Sequence, residues 1–382
     1  MILNPDKIIT GDGKTVLENY AVRIEGDRIA QIAPLDALCR MFPEEAVETY
    51  KGCSLLPGLC DMHTHIGYFP GCVEKQQQTE TMLAFCAMAK AQRALRKGTT
   101  LIRDVASPEN ICRAITCAAQ NGMLVAPHII SAGAGMCITG GHFYHAYPGV
   151  EEVDGCEALI RAVRKRLKDG YTWIKLMTTD RSEVCEYSRE ELCAVTEEAH
   201  RLGGKVAVHA SNRLGIQMCL DAGVDSIEHA SEMTEEQADQ MVEKGIAWTP
   251  TVFVYRCALE REQHNQGAPS GNLARYQRAC EGYQNNFLRY YQKGIHVVAG
   301  TDLNDLPIAD ELCCLVELGL TPLQAIRIGT ANGAKLAGME HQTGQIQEGL
   351  LADILIVHGD AQKDIGALKN PAAVLFGGKF VG

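Results

Sequence analysis

The stretch LLPGLCDMHTHIG, residues 55–67, decides the fold class of this chain. It is an apolar run that ends in His63 and His65, which are separated by one residue. Because side chains two apart in a strand point to the same face, both imidazoles can face one metal ion. A His-x-His pair alone is a weak sign of a metal site. Its place at the end of a strand makes the sign strong if other strands end in the same way.

Other β-rich segments do carry such side chains at or near their ends. These are Lys175 in YTWIKLM (171–177), His209 in VAVHA (206–210), His229 in DSIEHA (225–230) and Asp302 in HVVAGTD (296–302). If His209 and His229 had a purely structural role in the core, both would have to fall at strand ends by accident. The order and contexts of the six side chains therefore indicate a two-metal hydrolytic site on a β/α barrel.

The middle of the chain, residues 57–337, alternates short β-rich runs with helix-length segments. The helical segments have apolar residues at helical spacing and often end in glycine. The candidate strands are 59–65, 100–104, 128–132, 172–177, 206–209, 226–229, 247–251 and 296–301. Such βα repeats predict the α/β class and a (β/α)8 TIM-type barrel.

Both ends of the chain show a different sequence pattern. Residues 1–13 and 20–33 alternate apolar and polar side chains around the turns GDG and EGD, and residues 344–357 are again β-rich. This pattern is typical of antiparallel strands. We therefore expect a small β-sandwich domain made of residues 1–56 and 338–382.

Composition limits the partners of the protein. A formal net charge of -11 argues against nucleic acid and anionic membranes as partners, since both require basic patches. A small-molecule substrate is the better expectation. The sixteen cysteines form no CxxC pair, and no secretory signal precedes the first strand, so we expect reduced thiols in the cytoplasm. The oligomeric state stays open, a homo-oligomer included.

Lys175 and Asp302 carry the chemistry that spacing alone leaves open. A lysine in an apolar strand must be neutral, paired or modified, because a bare ammonium there is costly. A neutral lysine can react with CO2 to give a carbamate that bridges two metals, but spacing alone favours a structural lysine. Asp302 can bind metal and shuttle a proton. It could instead cap the next helix, a role that Asp305 can also take.

At these residues the chain resembles the amidohydrolase superfamily over nearly its whole length. Further similar segments are KGTTLIRDV (97–105), AIRIGTANGAKLAG (325–338) and GQIQEGLLADILIV (344–357). TGGH (139–142), together with the strand segments, is most similar to the Xaa-Pro dipeptidase and imidazolonepropionase-like group.

The resemblance implies a binuclear site, usually of zinc. One ion would be bound by His63, His65 and Asp302, and the other by His209 and His229. Carboxylated Lys175 and a hydroxide would bridge them, which reverses the preference for a structural lysine. Asp302 would shuttle the proton as the hydroxide attacks the substrate carbonyl.

The analogy also predicts the substrate class. A dipeptide or N-acyl amino acid would offer a carboxylate to His142, Tyr255 and Arg256, although each of these could be an ordinary loop residue. Two alternatives remain: a cyclic amide hydrolase or deaminase of the imidazolonepropionase or cytosine deaminase type, and a non-catalytic relative. Lys175 argues against the former, and the complete ligand set argues against the latter.

Overall fold

The computed structural model describes seven ranges of the chain: 1–68, 79–108, 110–146, 148–179, 183–264, 272–303 and 308–382. Asp305 lies outside them. The chain divides into two compact units. The first contains the described parts of 1–61, 92–101 and 305–382, and the second contains those of 62–91 and 102–304.

Strands occur both in the β-rich runs of the middle of the chain and in the alternating segments at its two ends. In chain order they are β1 Ile2–Ile9, β2 Val16–Glu18, β3 Tyr20–Glu25, β4 Arg28–Pro34, β5 Val47–Pro57, β6 Leu59–Thr64, β7 Thr99–Asp104, β8 His128–Ser131, β9 Gly135–Cys137, β10 Val150–Glu152, β11 Trp173–Met177, β12 Lys205–Ala210, β13 Ser226–His229, β14 Ala247–Thr249, β15 Ile354–His358, β16 Pro371–Phe376 and β17 Lys379–Phe380.

Helices follow most of the central strands, as the apolar spacing predicts. They are α1 Leu35–Met41, α2 Glu80–Arg96, α3 Ile111–Gln120, α4 Cys156–Lys168, α5 Arg189–Arg201, α6 Arg213–Ala222, α7 Glu235–Lys244, α8 Val252–Gln263, α9 Asn272–Gln292, α10 Ala309–Glu317, α11 Pro322–Ile328 and α12 Ala331–Ala337. Within the described part of the chain, none of these helices has the length and apolar character needed to cross a lipid bilayer.

The first unit contains one mixed sheet built from both ends of the chain. Its order is β17-β16-β15-β5-β1-β3-β4, and β2 pairs with β1. β5 is parallel to β1 and antiparallel to β15, so it joins the N-terminal strands to the C-terminal ones. Leu3, Val22, Leu55 and Ile356 pack in the core of this sheet. The alternation at the two ends of the sequence thus corresponds to a single shared sheet.

The second unit is built on parallel strands. A six-stranded sheet has the order β10-β9-β11-β12-β13-β14, and its paired strands are parallel. A three-stranded sheet has the order β6-β7-β8. Every residue of β6, β7 and β11 is buried, so these strands show no alternation of buried and exposed positions. Asp61, Arg103 and Lys175 lie inside the fold together with the apolar side chains. The sheets show the α/β class that the sequence predicts.

Strand register places the carboxyl ends side by side. Met177 of β11 pairs with His209 of β12, and Ala210 pairs with His229 of β13. Asn212, at the N-cap of α6, accepts a hydrogen bond from Gly215, so α6 starts just after His209 and the chain leaves the strand end at once. The side chains at these ends are therefore held close together on short connections.

The predicted strand 296–301 is shorter than expected. It forms an isolated parallel bridge between Val297 and Trp248, and the Met62 N–H donates to the Ala299 carbonyl at 2.9 Å. Asp302 then has φ 51°, which ends the extended geometry. The apolar run is long enough for a strand, but the turn that presents Asp302 shortens it.

Candidate metal centre

Three of the predicted ligands converge at the end of β6. Oδ1 of Asp302 lies 3.5 Å from Nε2 of His63 and 3.1 Å from Nε2 of His65. One ligand atom from each of the three residues lies within 4.8 Å of the others. The Asp302 N–H donates to the His63 carbonyl at 2.8 Å, which ties the two segments together. This spacing suits a single divalent cation.

His229 and His209 extend the group from the ends of β13 and β12. The His229 ring centroid lies 5.0 Å from that of His63 and 4.5 Å from that of His209. His229 has φ 69°, a left-handed conformation that costs energy in a residue with a side chain. The Trp248 indole N–H donates to the His229 carbonyl at 2.7 Å and helps to hold it.

Hydrogen bonds fix which ring nitrogens face the centre. In three of the histidines Nδ1 contacts a neighbouring group. Nδ1 of His63 lies 2.7 Å from Oε2 of Glu228, that of His65 lies 3.2 Å from the Ala106 carbonyl, and that of His229 lies 2.7 Å from Oγ1 of Thr251. Each of these rings keeps Nε2 for a metal. His209 has the opposite arrangement: its Nε2 lies 3.2 Å from the Thr179 carbonyl, so Nδ1 is the nitrogen that would bind a metal.

The protonation states favour metal binding. Burial, followed by the charge of Lys175, lowers the pKa of His63 to about 4. Burial also lowers the pKa values of His209 and His229 well below the usual range. Although burial raises the pKa of Asp302, the surrounding histidines lower it by more. At neutral pH the imidazoles of His63, His209 and His229 are therefore neutral and the Asp302 carboxyl is ionised, which are the forms that bind metal.

Lys175 lies on β11, lines the same cavity as the histidines and is fully buried. Its Nζ has no hydrogen-bond partner among the described residues. Burial lowers the pKa of this amine to about 8. An unsatisfied buried amine is costly, so the position calls for a modification or a ligand that supplies partners. Four histidines, one carboxylate and this amine fit a site for divalent ions of the zinc type.

A buried ion pair behind the site was not predicted. Oε1 of Glu228 accepts from Arg103 at 2.8 Å, while its Oε2 contacts His63. Arg103 also donates to the Met62 carbonyl at 2.6 Å, and both charged residues are fully buried. Although burial raises the pKa of Glu228, Arg103 and His63 lower it by more. A charge inside each of two apolar strands was the signal that could have revealed this pair.

A cavity of about 250 Å³ opens onto the ligand cluster. The predicted substrate residues His142 and Tyr255 both line it. The His142 ring stacks on His209 at a centroid distance of 4.1 Å, and the Tyr255 hydroxyl lies 3.1 Å from Oγ of Ser211. The rest of the lining is mostly apolar, with two arginines: Phe143, Met177, Val254, Cys257, Ala258, Arg261, Arg275, Tyr276 and Leu303.

Arg256 is not among the cavity-lining residues, although its neighbour Tyr255 is. On α8 the lining positions are 254, 255, 257, 258 and 261. At about 100° per residue these positions share one face of the helix, and position 256 falls on the opposite face. The expectation for Arg256 came from the family analogy and from its position after the seventh predicted strand, and neither of these determines which face of the helix a side chain occupies.

Comparison with known proteins agrees with this geometry. The model of the amidohydrolase family matches residues 54–381. Ochratoxinase of Aspergillus niger is 29% identical over 408 residues, which cover 96% of this chain and 83% of that protein. Its crystal structure superposes with a TM-score of 0.88 and 27% identity, covering 99% of this chain and 94% of that one.

Two further relatives represent the two groups named above. A crystal structure of a Xaa-Pro dipeptidase with bound methionine is 29% identical, has a TM-score of 0.86, and covers 99% of this chain and 98% of its own. Imidazolonepropionase of Symbiobacterium thermophilum is 30% identical over 186 residues, or 46% of this chain and 39% of that protein. The chain belongs to the amidohydrolase family and is a hydrolase that acts on carbon–nitrogen bonds.

Proposed function

We propose that this protein is a two-metal amidohydrolase that cleaves an amide bond in a small substrate bearing a carboxylate. Dipeptides, Xaa-Pro dipeptides included, and N-acyl amino acids are the substrate classes. One observation carries the proposal: the buried amine of Lys175, which has no hydrogen-bond partner in the described ranges, lies among four histidines and Asp302, and a cavity opens onto this group.

This set would hold two divalent ions, zinc in view of its four histidines. His63, His65 and Asp302 would bind one, His209 and His229 the other, and carboxylated Lys175 would bind both. When bound, the ions supply activation of water and polarisation of the substrate carbonyl. The described residues supply imidazoles that are oriented by Glu228 and by the other Nδ1 contacts, so that little reorganisation is needed on binding.

The carbamate would form from Lys175 itself. The neutral Nζ attacks the carbon of CO2, a new N–C bond forms, one C=O electron pair moves onto oxygen, and a proton leaves the nitrogen. A pKa of about 8 leaves an appreciable neutral fraction near neutral pH, which an ordinary lysine lacks. The modified group has two oxygens that can bind the metal ions. Modification would therefore give the end of this side chain the partners that the free amine lacks among the described residues.

Asp302 is the proposed proton carrier. Its carboxylate is ionised and lies at the wall of the cavity, within 3.1 Å of Nε2 of His65. It can accept the proton of the attacking water and return it to the leaving amine. The left-handed backbone at Asp302 fixes the carboxylate at this position.

The substrate assignment rests on the cavity and on the relatives. His142 and Tyr255 are proposed to contact the substrate because both line the cavity. The relatives named above include a Xaa-Pro dipeptidase with bound methionine. Arg256 has no part in the proposal, since it is absent from the lining.

The finer organisation is also proposed. Hydrogen bonds join the segment around Val298 to Trp248 on one side and Ala299 to Met62 on the other, which supports a closed (β/α)8 barrel for residues 57–337. Residues 1–56 and 338–382 would form the small β-sandwich. The protein would work in the cytoplasm on a small molecule, without nucleic acid or membrane as partner, and a homo-oligomer fits this proposal.

A substrate screen tests the proposal. Metal-replete enzyme is assayed with dipeptides, N-acyl amino acids and their carboxyl-amidated forms, and then with ring amides and aminopyrimidines. We expect turnover of the acyclic free acids and poor turnover of the amidated forms, because a bound carboxylate orients the scissile carbonyl. Turnover of ring amides alone would replace the proposal by the alternative that the imidazolonepropionase relative represents.

A further inference from the structure

Two permanently charged cations line the cavity in addition to the candidate metal ligands. Among its described lining residues these are Arg261 and Arg275, while Asp302 is acidic and Lys175 would carry negative charge once carboxylated. A guanidinium that faces a cavity attracts a small anion. The lining therefore fits a carboxylate-bearing substrate, and the two arginines are the candidates to bind it.

Arg275 is better placed than Arg261 to bind such a group. Arg261 is exposed at the end of α8, whereas Arg275, in the first turn of α9, is half-buried. A partly desolvated arginine interacts more strongly with an anion than an exposed one, since water screens the exposed charge. Arg275 therefore offers the stronger interaction with a substrate carboxylate.

Arg275 and Tyr255 border the same cavity. Burial raises the pKa of the Tyr255 hydroxyl, and the nearby charge of Arg275 is the largest opposing influence. The guanidinium and the phenol therefore face the same space.

The wall next to Arg275 is apolar. Tyr276 follows it on α9, and Val254 and Ala258 present the facing side of α8. The rings of Tyr276 and Tyr255 lie with centroids 6.0 Å apart in an edge contact. A ligand whose carboxylate meets Arg275 would therefore place its neighbouring side chain against apolar surface, which favours an aliphatic or aromatic group.

We infer that Arg275 binds the free carboxylate of the substrate's leaving residue, and that the adjoining wall of Val254, Ala258 and Tyr276 selects an apolar side chain on it. This inference rests on the proposed function and names the residue that determines its specificity. The planar guanidinium can hold a carboxylate by two parallel hydrogen bonds, which fixes orientation as well as position.

The test compares free acids with their amides. The substrates are L-alanyl-L-leucine and N-acetyl-L-leucine with the matching leucinamides, and the variants are Arg275→Gln and Arg275→Lys. We expect Arg275→Gln to lower kcat/KM for the free acids by roughly 10- to 100-fold, as loss of one charge-assisted interaction implies, and to leave the amides within a few-fold. Arg275→Lys keeps the charge but not the paired geometry and should fall between.

Two arginines provide controls. Arg278 lies one turn further along α9 and pairs with Glu232 at 3.6 Å. The Arg278→Gln variant should therefore behave like the parent protein. Arg256→Gln changes the arginine next to Tyr255 and should also retain the preference for free acids. A calorimetric readout of L-leucine binding, which needs no turnover, should weaken in Arg275→Gln by the same factor as kcat/KM.

The outcomes separate this inference from the proposed function. If the parent prefers free acids and Arg275→Gln keeps that preference and its affinity for L-leucine, the role of Arg275 is wrong while the function stands. Loss of the preference in Arg256→Gln instead would also overturn it. If the parent hydrolyses only ring amides and does not bind L-leucine, the proposed function fails and the inference fails with it.

Discussion

The buried pair of Glu228 and Arg103 gives the sharpest mutational prediction. Glu228→Gln keeps the shape of the side chain and removes its charge. It leaves the Arg103 guanidinium buried without a counter-charge, and it takes the carboxylate partner from Nδ1 of His63, now 2.7 Å away. The substitution should therefore reduce both the free energy of unfolding and the affinity of the His63 site for metal.

The size of each effect follows from burial. Removing one partner of a fully buried ion pair costs about 3–5 kcal/mol. The amide oxygen of the glutamine can still accept a hydrogen bond from Arg103, so we expect the lower end of this range, about 3 kcal/mol. Both residues are fully buried, so solvent screening does not reduce this figure. Loss of the hydrogen-bonded carboxylate behind a metal-binding histidine typically weakens metal affinity by about 10–100-fold.

Urea denaturation and metal titration of the same samples measure the two effects. Glu235→Gln is the matched control, because Glu235 pairs with Arg289 at 3.1 Å with both side chains largely exposed, where such a pair contributes about 0–1 kcal/mol. The double variant Arg103→Met/Glu228→Leu should be more stable than Glu228→Gln, since no lone charge remains. If Glu228→Gln matches Glu235→Gln in stability and in metal affinity, the role assigned to Glu228 is refuted.

Three further predictions concern the site itself. Lys175→Ala should lose metal and activity together, and short carboxylic acids should restore part of both; full activity without added acid, or unmodified Lys175 in active metal-loaded enzyme, would contradict the bridging role. Asp302→Asn should retain at least one ion by elemental analysis and lose about 10²–10⁴-fold in kcat, the usual contribution of proton transfer; a loss below tenfold would rule Asp302 out as proton carrier. Gly300→Ala places a Cβ 2.6 Å from that of His63, so it should weaken metal binding, and unchanged affinity in a titration would show that the backbone shifts freely there.

The convergence of the candidate ligand residues could be predicted from where they lie in the sequence. His63, His65, His209 and His229 each stand at the end of a short apolar run, and parallel strands bring such ends to one edge. Lys175 could not be assigned from spacing alone, because a lysine in an apolar strand is also compatible with a structural role. Its resemblance to a family motif made the difference, and its unpartnered amine supports the same assignment.

The residues that sequence could not place depend on packing between distant segments. Glu228 meets Arg103 only because β13 and β7 bring their side chains together behind His63. Arg275 reaches the cavity because α8 and α9 pack against each other, whereas the family analogy for the segment after the seventh predicted strand does not determine which way Arg256 faces. The class of each helix and strand follows from local pattern, but the face that a helix turns to a cavity does not.

Elemental analysis of protein purified without chelators tests the central claim most directly. The account predicts about two divalent ions per chain, mainly zinc, because six candidate ligand residues surround the end of the cavity. A metal content well below one equivalent per chain in catalytically active protein would contradict it.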